Sequence, residues 1–334
     1  MTRLLLIIPG LVLTLLLNSC FKEDERVNPH VPGNTLVDTV SLTNSYKYQV
    51  FYQLESAEPV STLLRKDWDL AFESTPHGWH IRLNTSCFMY ASSFSGQEFG
   101  ILTDTTGAQW LFDNSNGNPD SLAIGKWFNI SLQDTVSAGQ LYIINRGIDE
   151  LGNDRGYRQL VIDSLANGTY YIRTCKMNGA DQKSFAVTKN PGVNNVLLSL
   201  DHGVTTFSEP PSSSWDILFT QYTTLLYTDL GEPYPYLVTG VLLNPQFVQL
   251  AKDSLNPFEQ ISFESVSSLQ FGNRQDFIGY DWKYYDFDTG SYTVDLDKIY
   301  VIRDKKGYYY KFRFLGFYNQ AGEKGFPSFE FQRL

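Results

Sequence analysis

The stretch Trp68-Asp69-Leu70-Ala71-Phe72 recurs as Trp215-Asp216-Ile217-Leu218-Phe219. Self-similarity of this kind constrains a fold more than any single motif, because each copy must build the same unit. Further marks follow in the same order. A Leu-Asn pair comes next in each copy, Leu83-Asn84 and Leu243-Asn244. Then come Lys126-Trp127-Phe128 and Trp282-Lys283-Tyr284, and after them Tyr142-Ile143-Ile144 and Tyr300-Val301-Ile302. From Trp to Tyr the distance is 74 residues in the first set and 85 in the second, so order and spacing agree on a duplicated unit.

The unit is built of strands. Tyr46 to Tyr52, Trp79 to Leu83 and Tyr170 to Arg173 alternate or are rich in aromatic and β-branched residues. Period-two patterning of this composition indicates β-strands bounded by Gly, Asn, Asp and Pro turns. No helical period is sustained, and the best helical candidate, Phe247 to Leu255, is short. The expected fold is all-β, in two tandem antiparallel domains at 39–190 and 191–334, divided near Lys189-Asn190-Pro191-Gly192.

The ends of the chain add an address. Arg3 precedes an apolar run, Leu4 to Leu17, of 14 residues. A spanning helix needs roughly 20 residues, so the run reads as a secretory leader, 1–19. Leu17-Asn18-Ser19-Cys20 has a lipobox pattern, in which the Cys20 thiol takes the lipid. Its acyl chains tether a mature chain to a membrane rather than spanning it. Lys22-Glu23-Asp24-Glu25 follows, an arrangement similar to the surface-export signal of Bacteroidota lipoproteins. Residues 20–38, with Pro29, Pro32 and Gly33, read as the lipidated Cys and a flexible tether. The expected location is the outer membrane, lipid-anchored and facing outward.

Composition narrows the function. With 26 Lys+Arg against 36 Asp+Glu the net charge is −10, which argues against nucleic-acid binding. Three Cys in 334 residues are too few for a disulfide scaffold. Cys87 and Cys175 form either a bridge or two buried free thiols. No nucleophile elbow, phosphate loop or His-Glu-x-x-His motif is present, so no catalysis is expected.

Three segments together resemble the HmuY family of Bacteroidota surface lipoproteins. They are Trp68 to Phe72 leading into His80-Ile81-Arg82-Leu83-Asn84; Ile299 to Asp304 with Lys311 to Phe314; and Phe329-Glu330-Phe331. Shorter members of that family fit all three segments in one domain, so the chain is either a duplicated or a heavily inserted version of it. The resemblance implies an all-β, HmuY-like fold and haem capture through two axial His or Met side chains. The second half departs from it. After His202 there is no His, Met or Cys, and Gly279 to Asp286 carries Trp, Tyr and Asp where a ligand His is expected. Haem ligation therefore points to the first half, to His77, His80 and Met89, with Trp79 and Phe88 as walls. Alternation along Trp79 to Leu83 puts Trp79, Ile81 and Leu83 on one face and His80 and Arg82 on the other.

Two other regions carry binding chemistry. Tyr227, Tyr234 and Tyr236, beside Pro233 and Pro235, read as an extended Tyr/Pro loop, and Trp282 and Tyr284 belong to a second aromatic cluster. Tyr joins a flat apolar body to a wet hydroxyl, which suits a planar ligand, a glycan or an outer-membrane partner protein. Asp113 to Asp120 is rich in oxygen donors, but its spacing misses the calcium-loop pattern and fits turn chemistry. No metal site is expected. The overall expectation is ligand binding in nutrient acquisition, with haem as the ligand the resemblance implies; the alternative is an interaction protein that keeps the fold without haem.

Overall fold

Alternation along the chain is realised as burial. In the last strand, Lys324–Arg333, every second residue is buried, Phe329 and Phe331 among them. The computed structural model describes residues 32–131, 134–205 and 208–334. The leader, Cys20 and the export-type signal lie outside these. Among the described residues there are 22 strands and five short 3-10 turns, and no helix is long and apolar enough to cross a membrane. The all-β expectation holds. The helical candidate at 247–255 is instead centred on a strand, Gln249–Asp253, whose Leu250 and Ala251 are buried.

The strands fall into two matching sets. The first is β1 (Thr35–Thr39), β2 (Tyr48–Gln53), β3 (Glu58–Leu64), β4 (Leu70–Glu73), β5 (Ile81–Leu83), β6 (Tyr90–Phe94), β7 (Phe128–Ser131), β8 (Asp134–Ser137), β9 (Leu141–Asn145), β10 (Tyr157–Ala166) and β11 (Thr169–Lys176). The second is β12 (Lys183–Thr188), β13 (Asn195–Ser199), β14 (Gly203–Val204), β15 (Ile217–Tyr227), β16 (Pro233–Leu243), β17 (Gln249–Asp253), β18 (Lys283–Asp286), β19 (Ser291–Val294), β20 (Ile299–Arg303), β21 (Tyr309–Tyr318) and β22 (Lys324–Arg333). Trp68 and Trp215 lie 147 positions apart, as do the starts of β2 and β13 and those of β4 and β15.

The sheets match too, but across the sets. One four-stranded sheet runs β14-β13-β4-β5 and the other β3-β2-β15-β16. One larger sheet contains β12-β11-β10-β9-β6, and its counterpart runs β1-β22-β21-β20-β17. Each repeat therefore gives its first three strands to the other. The first lobe, 70–204, closes with β12 to β14 and has its own core around Phe72, Trp127 and Ile144. The second combines β1 to β3 with β15 to β22 around Tyr52, Phe219 and Phe314. By strand order the second set begins with β12 at Lys183, ahead of the division expected near residue 190, and the cores do not divide at either point. Alternation says which face of a strand is buried; it is silent about which edge the strand pairs with.

A corner of identical hydrogen bonds anchors each lobe. The Asn84 side-chain amide donates to Trp68 O (2.8 Å) and Arg65 O (2.6 Å); Asn244 donates to Trp215 O (2.8 Å) and Ser212 O (2.6 Å). Asp69 Oδ2 accepts from Leu200 N, and Asp216 Oδ2 from Leu54 N, both at 2.8 Å. The Leu-Asn marks are thus the side chains that close the Trp-Asp strand onto its neighbour. Buried carbonyls need such partners, which explains why Asn stands at both positions. Between the lobes a small apolar cluster of Phe51, Leu63, Ala71, Leu197 and Trp215 joins the two four-stranded sheets.

Candidate functional site

The β4–β5 hairpin carries the most chemically prepared group of the first lobe. Glu73 N donates to His80 O, closing the hairpin at 3.0 Å. This sets Glu73 Oε2 2.5 Å from His80 Nδ1, while Glu73 Oε1 accepts from Thr75 Oγ1 at 2.6 Å. Burial pushes the Glu73 carboxyl up, but the bonds from Thr75 and His80 outweigh it and hold the pKa below its ordinary value. The imidazole stacks on Trp79 with ring centroids 4.0 Å apart and stays 19% exposed. With Nδ1 engaged by a carboxylate, Nε2 is the free nitrogen, as in metal-ligating histidines oriented by a second residue. The face expected from alternation is the one observed: Ile81 and Leu83 are buried and His80 lies at the surface.

The other two haem-ligand candidates sit differently. His77 is exposed in the turn that begins at Thr75 and Pro76. Met89 is 1% exposed, inside the core with Cys87 and Ala91. Its thioether is packed in the first lobe's core rather than presented beside His80. The reason is local: Ala91 of β6 and Met89 share the inward face. Cys87 and Cys175 are both buried and free. In the oxygen-rich stretch, Asp113 accepts from Leu83 N and Ala123 N, and Asn114, Asn116 and Asn118 each accept from the backbone two residues on. These oxygens are spent on turns. Among the described residues no cluster of three or more His, Cys, Asp or Glu could hold a metal ion.

The aromatic candidates separate as well. Trp282 is in the second lobe's core, stacked on Phe314 at 3.7 Å, and is not a surface platform. The Tyr/Pro stretch is a strand rather than a loop: Pro233 and Pro235 are paired opposite Tyr227 and Leu225. Only Ile217 to Phe219 of β15 meets β2, so among the described residues the outer part of the β15–β16 hairpin has no strand on that side. Its end exposes Tyr227, Tyr234, Tyr236 and Leu230. The β18–β19 hairpin exposes Tyr284, Tyr285 and Phe287, with Tyr285 against Tyr292 at 5.0 Å. Leu230 was missed because a lone Leu in a turn gives no pattern to read.

The HmuY protein family model matches residues 45–331. The chain belongs to the HmuY family. HmuY-family strands thus span both lobes, as the resemblance in the Trp-Asp and closing strands implied. No curated protein sequence matches. Solved structures that the chain matches include apo PinO from Porphyromonas gingivitis, with 8% identity and a TM-score of 0.29 over 90% of this chain and 97% of that one. The apo HmuY analog TFO of Tannerella forsythia gives 9% and 0.26 over 92% and 98%. A Bacteroides vulgatus protein, described as HmuY-like and heme binding, gives 15% and 0.19 over 52% and 90%. Membership rests on the family match alone.

Proposed function

We propose that this HmuY-family protein is a non-catalytic binding protein of the cell surface that captures haem for nutrient acquisition. The observation that carries the reading is the Glu73–His80 pair, which engages Nδ1 at 2.5 Å on a half-buried side chain and leaves Nε2 to a ligand. An imidazole so oriented is a good axial ligand. His77, exposed three residues earlier, supplies a second imidazole; Met89 is withdrawn from the set by its burial. The leader and Cys20 support a lipid anchor in the outer membrane, and Lys22 to Glu25 supports an outward orientation. Haemin titration of the mature chain tests the ligand. A saturable Soret shift is expected, lost in His80→Ala and weakened about 10- to 100-fold in Glu73→Gln. No saturable shift, or an unchanged one in a His77→Ala/His80→Ala double variant, overturns it.

A second reading is an interaction protein without haem. It is favoured by the aromatic ends of the β15–β16 and β18–β19 hairpins, where Tyr227, Tyr236, Tyr284 and Phe287 are exposed together with Leu230. Exposed aromatic and aliphatic surface of this kind marks interaction sites. A stoichiometric outer-membrane partner, released by Tyr236→Ala/Phe287→Ala and recovered without haem, would establish it.

A further inference from the structure

Arg146, Arg155, Arg158 and Lys176 line one cavity of about 440 Å³ beside the start of β10 and the end of β11, with Asp201 as the carboxylate among them. The chain as a whole carries −10, so this gathering runs against its composition. Strand register produces part of it: Arg158 stands opposite Lys176, which puts both side chains on one face. Arg146 and Arg158 are only 8% and 3% exposed. Shared carboxylates hold them. Asp69 takes Arg146 and Arg155, Asp201 takes Arg146 (2.8 Å) and Arg158 (2.5 Å), and Asp181 takes Arg158 (2.6 Å) and Lys183 (3.3 Å). With Lys176 the group has five cations against three carboxylates. Its donors are not all used. Among the described residues Arg155 Nε, Arg158 Nε and Lys176 Nζ have no acceptor. A neighbouring cavity shares Arg146, Arg155 and Asp201 but adds Asp67 and Asp149 with Lys66, so the positive excess lies on the first.

The fold does not require this group. By register the second lobe has Asp304, Tyr310 and Arg333 where the first has Arg146, Arg158 and Lys176, and there Arg333 stacks on Tyr308. Size and charge narrow the guest. The cavity is in the range of small-molecule sites and holds more than a bare inorganic anion. Guanidinium and ammonium donors recognise phosphoryl oxygens, and a cleft of one sign concentrates anions. A phosphate monoester carries nearly two negative charges at neutral pH, which matches the excess of two cations; a carboxylate carries one. Asn178 Oδ1 accepts Ala180 N at 3.1 Å, which leaves Nδ2 as a further donor at the cavity. Tyr157, 38% exposed and packed on Trp110 with ring centroids 5.8 Å apart, adds a flat wall. We propose that this cavity binds a phosphate monoester, with its phosphoryl group on Arg155, Arg158 and Lys176 and its organic part against Tyr157. The proposal is independent of haem capture at His80.

Phenyl phosphate, benzoate and inorganic phosphate are the probes, titrated calorimetrically into the full mature chain. Benzoate keeps the ring with a single charge, and inorganic phosphate keeps the dianion without a ring. Phenyl phosphate should saturate on the order of tenfold more tightly than either, and more weakly as salt rises. Lys176 is exposed, so Lys176→Glu should keep the near-UV circular dichroism spectrum and weaken phenyl phosphate by about tenfold or more. Tyr157→Ala should lower phenyl phosphate to the level of inorganic phosphate. Vesicles containing phosphatidic acid carry the same monoester on a lipid; binding to them that Lys176→Glu abolishes supports the proposal and makes a headgroup the source. The proposal fails if neither phenyl phosphate nor the vesicles bind, if benzoate binds as tightly as phenyl phosphate, or if a folded Lys176→Glu binds unchanged. A preference over inorganic phosphate that survives in Tyr157→Ala overturns the placement of the organic part. Should Lys176→Glu not fold, Lys176→Met is held to the same criterion.

Discussion

The two Trp-Asp corners share a backbone frame and differ in charge. In the first, Asp69 is fully buried and paired with Arg146 (3.0 Å) and Arg155 (2.9 Å). In the second, Asp216 accepts Leu54 N but has no cation. The register of β9 and β20 puts Asp304 where the first repeat has Arg146. Burial first, then the charges of Asp304 and Glu55, push the Asp216 carboxyl up to about 6. The same drift affects the candidate haem side. Glu73 and His80 are matched by Thr220 and Gly240, and a Cβ on Gly240 would come within 2.4 Å of Gly279 O. The two sets of strands thus share the hydrogen bonds that close them and differ in the side chains that carry charge. Backbone pairing must be satisfied in every copy, whereas a buried ion pair can be replaced at little net cost.

The largest effects should fall on the shared frame. Asn84→Ala and Asn244→Ala each leave two buried carbonyls without their donors and should each cost about 3–5 kcal/mol by urea denaturation. If one costs nothing, the corners are not equivalent. Next comes the contrast in charge. Asp69→Asn breaks a buried pair, leaving Arg146 with Asp201 alone and Arg155 with carbonyl oxygens, at about 3 kcal/mol, whereas Asp216→Asn removes an unpaired buried charge and should leave stability unchanged or raise it at pH 7. Equal costs would erase the distinction drawn between the corners.

The smallest effect is a pH slope. Burial raises Glu209 to about 7, and raises Asp113 and Asp216 to about 6, above their ordinary values of 4.5 and 3.8. The folded chain therefore holds protons that the unfolded chain has released. Their contribution to stability is fully present below about pH 4 and is lost as pH rises through 6 to 7. Melting temperature should fall between pH 5 and pH 7, above which Lys283, lowered by burial to about 7, acts in the opposite direction. Glu209→Gln should flatten that fall, raising stability at pH 8 by about 1–3 kcal/mol relative to wild type. An unchanged slope in Glu209→Gln would show that Glu209 ionises as easily folded as unfolded.

Much of this was legible before folding. The Trp-Asp and Leu-Asn marks identified the repeats and, as it turned out, the hydrogen-bonding corners themselves. Alternation placed His80 outward and Ile81 and Leu83 inward. Alternation failed where inside and outside depend on distant segments. Trp282 reads as a surface aromatic among Tyr280, Tyr284 and Tyr285, yet it is buried because Phe314 of β21 stacks on it. Pro233 and Pro235 suggested a loop, but β16 has β15 on one side and, along its outer part, no second neighbour. A strand edge of that kind tolerates proline.

The sequence by itself determined that the chain is all-β, repeated, marked by an Asn after each Trp-Asp strand, and short of haem ligands after His202. These follow from period, order and composition, which are local properties. Only the tertiary structure decided that β1 to β3 and β12 to β14 change places, that Met89 is withdrawn and His80 presented, and that two tryptophans 147 residues apart wall one cavity. Those depend on which edges and faces meet, and the free energy of such contacts belongs to pairs of residues far apart in the chain rather than to any segment of it.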